Sequence, residues 1–341
     1  MAMLAAPKAV RAEAQPDIVR MSIDETPFIP VLTNALGFFA QERIVIEPVA
    51  IQSLAPNDFE FQAPMHDGRI DLAYHWFHHA IFGARHGLPI PAIMTFNDAP
   101  GMTVFVAKAR AQAIRTAADF AGMSVAAGAG YGTKALVTHT LAARAGLSAD
   151  AFRLVHTASE NREANIMRGI AYGSVDVVTS EEPLTARLRE NGQVLPLFDL
   201  TTRRAAQAVL GAPWPAQSLL ASPVFLRSRP AVAQRAVNAF VRTMEWLQGK
   251  SAEEIAYHLP LSYFEGTGRE QKLAWIRDTL PTLARGDYSV PVNGAARMAE
   301  AIAGYRFDAS NSGKWRATQT VGGFNATSLA DNRWVERALR S

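Results

Sequence analysis

"MSVAAGAGYGTKALVTHTLAARAG", residues 123–146, joins a short apolar run to a turn containing three glycines and then to an amphipathic run that ends on glycine. The apolar run predicts a β-strand, and the spacing of Leu136, Val137 and Leu141 gives a helix one apolar face. A strand that leads through a glycine turn into a helix is the repeating unit of α/β proteins. This stretch therefore predicts an α/β fold.

The same alternation continues on both sides of this stretch. Helical patterns cover 29–42 and 183–192, the second ending on Gly192, and three amphipathic helices after residue 229 predict a helical C-terminal part. We expect βαβ units with parallel strands up to about residue 200. The predicted strands, besides 123–128, are 17–23, 44–51, 70–75, 90–96, 103–108, 152–157, 175–180 and 218–226.

Composition excludes several classes of protein. The 341 residues are 49% hydrophobic, which is enough to bury a large core, and 34 Lys and Arg balance 31 Asp and Glu. No basic run or span of about 20 apolar residues occurs, so we expect no nucleic-acid partner and no stable membrane insertion. With no cysteine, disulfides, thiolate metal sites, a cysteine nucleophile and a lipid anchor on cysteine are excluded.

Two predicted strands are preceded and followed by the same kinds of residue. "MHDGRIDLAYHW" (65–76) and "MRGIAYGSVDVVTS" (167–180) each place glycine at a helix end, an exposed polar residue, here aspartate, at the strand start and polar or aromatic groups at the strand end. Ligands of open α/β sheets bind beyond the carboxyl ends of the strands. We therefore expect one cleft to receive side chains from both strand ends, namely Tyr74, His75 and Trp76 from the first and Ser180, Glu181 and Glu182 from the second.

The glycine turn is a candidate anion site. Glycines allow positive φ and turn backbone N–H groups inward, while the following helix start adds partial positive charge. Gly130 and Gly132 would supply N–H groups, Thr133 a side-chain donor, and Tyr131 the rim. The spacing matches neither a P-loop nor a dinucleotide fingerprint, so a strand-to-helix turn without a ligand stays open.

The histidines near residue 75 raise the question of a metal site. His75 and His79 are four residues apart, but His75 belongs to a strand end and no acidic residue close in sequence supplies a third ligand. We therefore predict no metal site, and expect His78, His79 and His86 to be surface or hydrogen-bonded residues. Tyr74, His75 and Trp76 could form a flat wall for a ligand or pack between the two halves.

Other candidate residues follow predicted strands. Glu25 and Phe28 lie after the first strand, Asn97 after the fourth and Asn161 after the seventh, and Trp214 and Gln217 precede the last. For Glu25, Asn97 and Asn161 a solvated loop is an equal alternative, and for Trp214 so is packing alone. No GxSxG, HExxH or paired-carboxylate pattern occurs, so nothing in the sequence favours catalysis.

Several segments, taken in order, resemble periplasmic solute-binding proteins of ABC importers of the nitrate, sulfonate and taurine (NMT1/THI5-like) group. The resemblance covers about residues 17–260 and includes relatives that bind thiamine-precursor pyrimidines. In this group small residues usually stand where this chain has Tyr74-His75-Trp76, which disfavours nitrate or taurine as the ligand. The segments are "NALGFFAQERIVIEPV" (34–49), "HDGRIDLAY" (66–74), "TAADFAGMSVAAGAGYGTKALVTHTLAARAGL" (116–147), "NIMRGIAYGSVDVVTSEEP" (165–183) and "SLLASPVFLRSRPAVAQRAVNAF" (218–240).

The resemblance implies a two-lobed periplasmic-binding-protein type II fold with two crossover strands. One lobe would comprise 17–107 plus 217–341 and the other 108–216, and both would close on a small organic anion such as a sulfonate, an aromatic acid or a pyrimidine-like solute. It further implies an exported, soluble periplasmic monomer that serves an ABC permease and its ATPase, without a cofactor. The Ala-rich residues 1–16, with Ala12-Glu13-Ala14, would be a signal-peptide remnant or a disordered terminus.

Two alternatives to transport stay open. The first is a metal-dependent or pyrimidine-metabolising enzyme on the same fold. The fungal pyrimidine synthases of similar fold use a Cys-rich segment, which this chain lacks. The second is a ligand-sensing domain whose closed form docks to a regulator.

Overall fold

A computed structural model describes residues 15–23, 28–50, 62–128, 132–155, 162–266, 268–303 and 325–340. Ten strands form two five-stranded sheets, in the order β2-β1-β3-β10-β4 and β7-β6-β8-β5-β9. The strands are β1 Asp17–Ile23, β2 Ile44–Val49, β3 Leu72–Trp76, β4 Ala92–Thr95, β5 Met102–Ala107, β6 Ser124–Ala126, β7 Arg153–Leu154, β8 Val177–Ser180, β9 Val194–Leu200 and β10 Gln217–Ala221.

Helices surround both sheets, and short 3₁₀ turns join some of them. The last third of the described chain is helical, as the sequence predicts. The α-helices are α1 Phe28–Ala35, α2 Phe38–Gln41, α3 Gln62–His66, α4 His78–Arg85, α5 Thr133–Arg144, α6 Arg162–Ala171, α7 Leu184–Asn191, α8 Arg203–Leu210, α9 Pro223–Ser228, α10 Pro230–Trp246, α11 Ala252–His258, α12 Arg269–Thr279, α13 Val292–Ala303 and α14 Arg333–Ala338.

The chain crosses between the sheets twice. It leaves the first sheet after β4, enters the second at β5 and returns at β10. Each arriving strand runs antiparallel to its neighbours, β5 to β8 and β9, and β10 to β3 and β4, whereas β1 to β3 and β6 to β8 are parallel. The mixed α/β fold with two crossover strands is therefore confirmed, and the expectation of parallel strands holds only outside the crossovers.

Three sequence predictions about elements are wrong in detail. The strand expected over 218–226 ends at Ala221, because Ser222 caps a new helix with Pro223 in its first turn. The helix expected over 29–42 is two helices, separated at Gly37, whose φ of 74° leaves the helical region. Strand β9 was not predicted, because "VLPLFDL" contains a proline and lacks clean alternation.

The predicted division into lobes at residues 108 and 216 stays a prediction. Strand β5, which that division places in the first lobe, pairs within the second sheet. Helix α13 packs against both α5 beside the second sheet and α4 beside the first. Gly294 of α13 also lies directly against the loop before β10, since a Cβ there would lie 1.9 Å from the Pro213 carbonyl oxygen.

Matching aspartates, which are buried rather than exposed as predicted, fix the strand starts in both sheets. Asp71 accepts hydrogen bonds from the backbone N–H of Arg20 at 2.9 Å and from its guanidinium at 2.7 Å. Asp176 accepts from the backbone N–H of Ser124 at 2.9 Å and from the Arg110 guanidinium at 2.8 Å. The repeated sequence device therefore joins adjacent strands in each sheet, and so aligns the strand ends that carry the candidate site.

Candidate functional site

A cavity of about 160 Å³ lies where the ends of strands from both sheets meet. Five of the residues predicted to face the cleft line it: Trp76, Asn97 and Gln217 from the first sheet and its crossovers, and Glu181 and Glu182 from the end of β8. The structure thus brings together residues from both halves of the chain. The cavity is lined by Trp76, Asn97, Ala99, Pro100, Gly101, Glu181, Glu182, Ala216, Gln217, Trp275, Asp278, Thr279 and Thr282.

The first sheet holds its polar groups at the cavity through hydrogen bonds. Gln217 Oε1 accepts from the Tyr74 hydroxyl at 2.6 Å, and Asn97 Nδ2 donates to Thr282 Oγ1 at 2.6 Å. The Asn97 side chain is 96% buried, and its Oδ1 has no hydrogen-bond partner in the described part of the chain. Buried amide oxygens are normally paired, so this acceptor is available to a ligand.

The second sheet contributes Glu181 to the cavity, and the start of α5, with the predicted Gly132 and Thr133, lies beside Glu181 but outside the lining. Glu181 pairs with Lys134, the second residue of α5, and Thr138 on the same helix shares a 2.6 Å hydrogen bond with Thr179 on β8. Thr133 is buried at the first position of α5, and Gly132 precedes it in an extended conformation. These contacts hold the helix start beside the end of β8.

Not all predicted wall residues reach the cavity. Tyr74 is buried in the first-sheet core, 4.7 Å from the Phe96 ring centroid, and His75 stacks on His79 at 4.3 Å. Phe28 and Trp214 are core residues, and Ser180 is fully buried, sharing a 2.7 Å hydrogen bond with Thr185. None of these five residues lines the cavity, and packing was the open alternative for Tyr74, His75 and Trp214.

Four predicted site residues lie outside the described residues: Glu25, Gly130, Tyr131 and Asn161. Their roles stay predictions. Gly128, at the edge of the glycine turn, has a φ of 73°, a conformation that favours glycine.

His78 and His79 are buried rather than on the surface, and His86 is half-buried. His78 and His79 stack with ring centroids 4.2 Å apart, and burial, reinforced by the neighbouring His75, lowers the pKa of His78 to about 3. Burial and the nearby His78 and His75 also hold the pKa of His79 well below its ordinary value. No group of three or more His, Asp or Glu able to hold a metal ion occurs within the described ranges.

Sequence reasoning missed the contribution of α12. Trp275, Asp278 and Thr279 line the cavity together with Thr282 of the following turn. Their spacing of three, four and seven residues marks one helical face, and an indole beside a carboxylate on that face is the signal that was available. Burial raises the pKa of Asp278, against the opposing effect of Arg277 and Arg189.

Glu182 combines a structural and a cavity-lining role. Its Oε2 accepts from the Ala186 N–H at 2.9 Å at the start of α7, as expected for a carboxylate before a helix. Burial raises its pKa despite that hydrogen bond, and nearby Asp278 raises it further.

A second, open groove lies on the other side of the 280–283 turn. Its volume is about 650 Å³, and its lining contains Arg203, Arg204 and Arg285 without a carboxylate. Arg203 pairs at 3.0 Å with the buried Asp98, whose pKa burial raises to about 6 against the effect of Arg203. The crossover region thus separates an acidic cavity from a basic groove.

Comparisons with known proteins bear on the fold and the family. A sequence model of the family described as NMT1/THI5 like matches residues 26–253. No curated protein matches the chain.

Three solved structures illustrate the structural likeness. A protein from Bordetella bronchiseptica RB50 is 23% identical with a TM-score of 0.66, covering 96% of this chain and 98% of its own. The periplasmic aliphatic sulphonate binding protein SsuA from Escherichia coli is 18% identical with a TM-score of 0.61, covering 84% and 91%. A cysteine-to-serine mutant of DSZB, a desulfurization enzyme, in complex with biphenyl-2-sulfinic acid is 14% identical with a TM-score of 0.60, covering 95% and 99%. At these identities the likeness concerns the fold.

Proposed function

The chain belongs to the NMT1/THI5-like family, and on that premise we propose that it is the solute-binding component of an ABC-type importer. It holds a small organic solute, such as a sulfonate, an aromatic acid or a pyrimidine-like compound, between its two sheets. Its partners are the solute, a permease and the ATPase of that permease. The proposal extends to export into the periplasm and action as a monomer.

One observation carries the proposal: a single cavity is lined by residues of both sheets, with Trp76 and Gln217 on one side and Glu181 on the other. A solute there contacts both halves only when they are close together. Its binding energy therefore favours the closed arrangement over any open one, as differential affinity requires. A permease could then distinguish the loaded protein from the empty one.

The start of α5 supports a place for an acidic head group. The helix N-terminus carries partial positive charge, and Thr133 and Lys134 are its first two residues. Lys134 pairs with Glu181, so an anionic solute group would bind this lysine together with the Glu181 carboxylate. The side chain of Trp76 supplies flat apolar area for the rest of the solute.

Binding rather than catalysis is the better reading of the residues. The chain has no cysteine, whereas the DSZB mutant carries serine in place of one.

Among the described residues no helix is both long and apolar enough to cross a bilayer. An enzyme on the same fold and a ligand-sensing domain are the competing functions, and a permease gene beside this one would favour transport over both.

Trp76→Ala and Thr133→Ala test the site. A thermal-shift screen of sulfonates, aromatic acids, pyrimidines and oxyanions first identifies a solute, because ligands that bind the native state raise the melting temperature. Calorimetry should then show each variant at least about tenfold weaker, or about 1.4 kcal/mol. Trp246→Ala and Thr140→Ala are controls, since Trp246 packs on His258 and Thr140 bonds within α5. Wild-type affinity in both test variants contradicts this site.

A further inference from the structure

The charged side chains that line the cavity between the sheets are all acidic. Glu181, Glu182 and Asp278 line it, and no Lys, Arg or His does so among the described residues. The groove beyond the 280–283 turn shows the opposite, with three arginines and no acidic side chain in its lining. An anionic group alone would therefore meet repulsion in the cavity at close range.

Protein cations neutralise these carboxylates only in part. Glu181 pairs with Lys134, but the nearest cation to Glu182 is Arg189 at 4.0 Å. Asp278 has no ion pair within 4.0 Å in the described part of the chain, because its neighbour Arg277 pairs with Glu253 at 2.7 Å. Burial raises the pKa of both Glu182 and Asp278. Glu182 is half-buried and Asp278 is exposed, and neither has a cation closer than 4.0 Å among the described residues, so the lining keeps a net negative charge.

Asn97 supplies an independent observation that points to a ligand. Its Oδ1 is buried, lies on a residue that lines the same cavity and lacks a partner in the described structure. An amide oxygen accepts hydrogen bonds and cannot donate them. The missing partner is therefore an N–H or O–H donor, which is what a cationic nitrogen group provides.

Size and the aromatic lining narrow the class of cation. A cavity of roughly 150 Å³ holds one benzene-sized ring, and this cavity measures about 160 Å³. Trp76 offers an indole face, on which cations bind favourably. Trp275 already has Lys272 Nζ 5.0 Å from its ring centroid. Since the three carboxylates form no group able to hold a metal ion, the fitting cation is organic.

We propose that this cavity binds a positively charged nitrogen group of the solute, between Asn97, Glu182 and Asp278 and against Trp76. This inference rests on the proposed function, because the cavity is one end of the same cleft. It specifies that the transported solute carries a flat or compact cationic group, in addition to any acidic head held at the start of α5. A simple sulfonate without such a group is then a poor ligand.

Three probes of nearly equal shape test the charge preference: benzamidinium, neutral benzamide and anionic benzoate. Calorimetric or indole-fluorescence titration at neutral pH should give the strongest binding for benzamidinium and a difference of about tenfold or more from benzoate. Asp278→Asn should reduce that difference several-fold, because it removes one carboxylate from the lining. Glu300→Gln, an exposed carboxylate on α13 that pairs with Arg297, is the matched control and should leave it unchanged.

The outcomes separate this inference from the function on which it rests. Benzoate binding as tightly as benzamidinium, no binding of any probe, or an unchanged preference in a folded Asp278→Asn variant overturns the cationic cavity. If a screened solute still binds and loses affinity in Trp76→Ala, the solute-binding function stands without it. If no screened solute binds at all, the proposed function itself fails.

Discussion

Three neighbouring residues at the end of β3 have three different environments. Tyr74 donates to Gln217 from within the core, His75 stacks on His79, and Trp76 lines the cavity. Alternation along a strand sends consecutive side chains to opposite faces. Because helices cover both faces of this sheet, Tyr74 and His75 are buried, and only the residue at the strand end reaches the cleft.

The residue types in this stretch were informative, but their burial was not predictable. Histidines and aromatics beside a strand suggest a polar cleft wall as readily as a core. The choice depends on which helices cover each face, and α13, which packs on α4, comes from a distant part of the sequence. For Asn97 the sequence left a binding role and a solvated loop as equal alternatives. Its hydrogen bond to Thr282 joins residues 185 positions apart, and local sequence does not reveal such a contact.

Burial of His78 predicts a pH-dependent stability. Its folded-state pKa of about 3 lies below the ordinary 6.5, so the unfolded chain binds more protons between these values. Stability is therefore fully present above about pH 6.5 and is lost as the pH falls towards 3. His78→Phe should lessen this acid loss, by at most about 1.4 kcal/mol per pH unit, in urea unfolding followed at several pH values.

Phe82→Leu provides the control for that experiment. Phe82 lies edge-on to His78 with the ring centroids 5.3 Å apart, and its replacement removes packing without removing a titrating group. It should lower stability by a similar amount at every pH. The account of His78 is wrong if His78→Phe retains the wild-type slope between about pH 6.5 and about pH 4.

At the scale of elements, the two sheets use the same aspartate-to-strand connection. Asp71 and Asp176 each accept hydrogen bonds from a backbone N–H of an adjacent strand and from an arginine side chain. The sequence showed this repetition, because the pattern of glycine, aspartate and apolar run is local. The sequence did not predict that β5 and β10 run antiparallel to their neighbours, since strand direction depends on pairing between distant segments.

Asp71→Ala should destabilise the protein by about 2 to 3 kcal/mol, because it leaves the Arg20 N–H and guanidinium without their buried acceptor. Asp67→Ala is the matched control. Asp67 also pairs with an arginine, Arg69, but both side chains are about half exposed, so its loss should cost less than about 1 kcal/mol. Chemical denaturation measures both, and equal losses in the two variants would show that Asp71 has no special role.

The mixed aromatic and polar face of helix α12 could have been recognised in the sequence. The place of this helix beside the cavity could not have been predicted. Trp275, Asp278 and Thr279 share a helical face, yet the neighbouring sequence does not show which segment packs against that face. About 190 residues separate it from β3 in sequence. Contacts of such high sequence separation arise from the overall packing, which propensity and periodicity do not specify.

On the scale of the whole molecule, two sheets meet at a cavity that each of them lines in part. The crossovers at 96–101 and 201–216 connect the halves, and α13 packs on helices beside both sheets. A solute in the cavity would thus tie together segments that are far apart in the chain. This is the physical basis of the proposed transport function.

Hydrogen–deuterium exchange of the intact chain, with and without the solute found by thermal shift, tests this claim most directly. We predict that saturating solute slows exchange in peptides from both sides of the cavity, at residues 72–101 of the first sheet and 177–191 of the second. Peptides of β2, the edge strand of the first sheet, should exchange at the same rate in both states, since none of its residues lines the cavity. Protection confined to one sheet, or absent from both while the solute is bound, would contradict a solute held between the two halves.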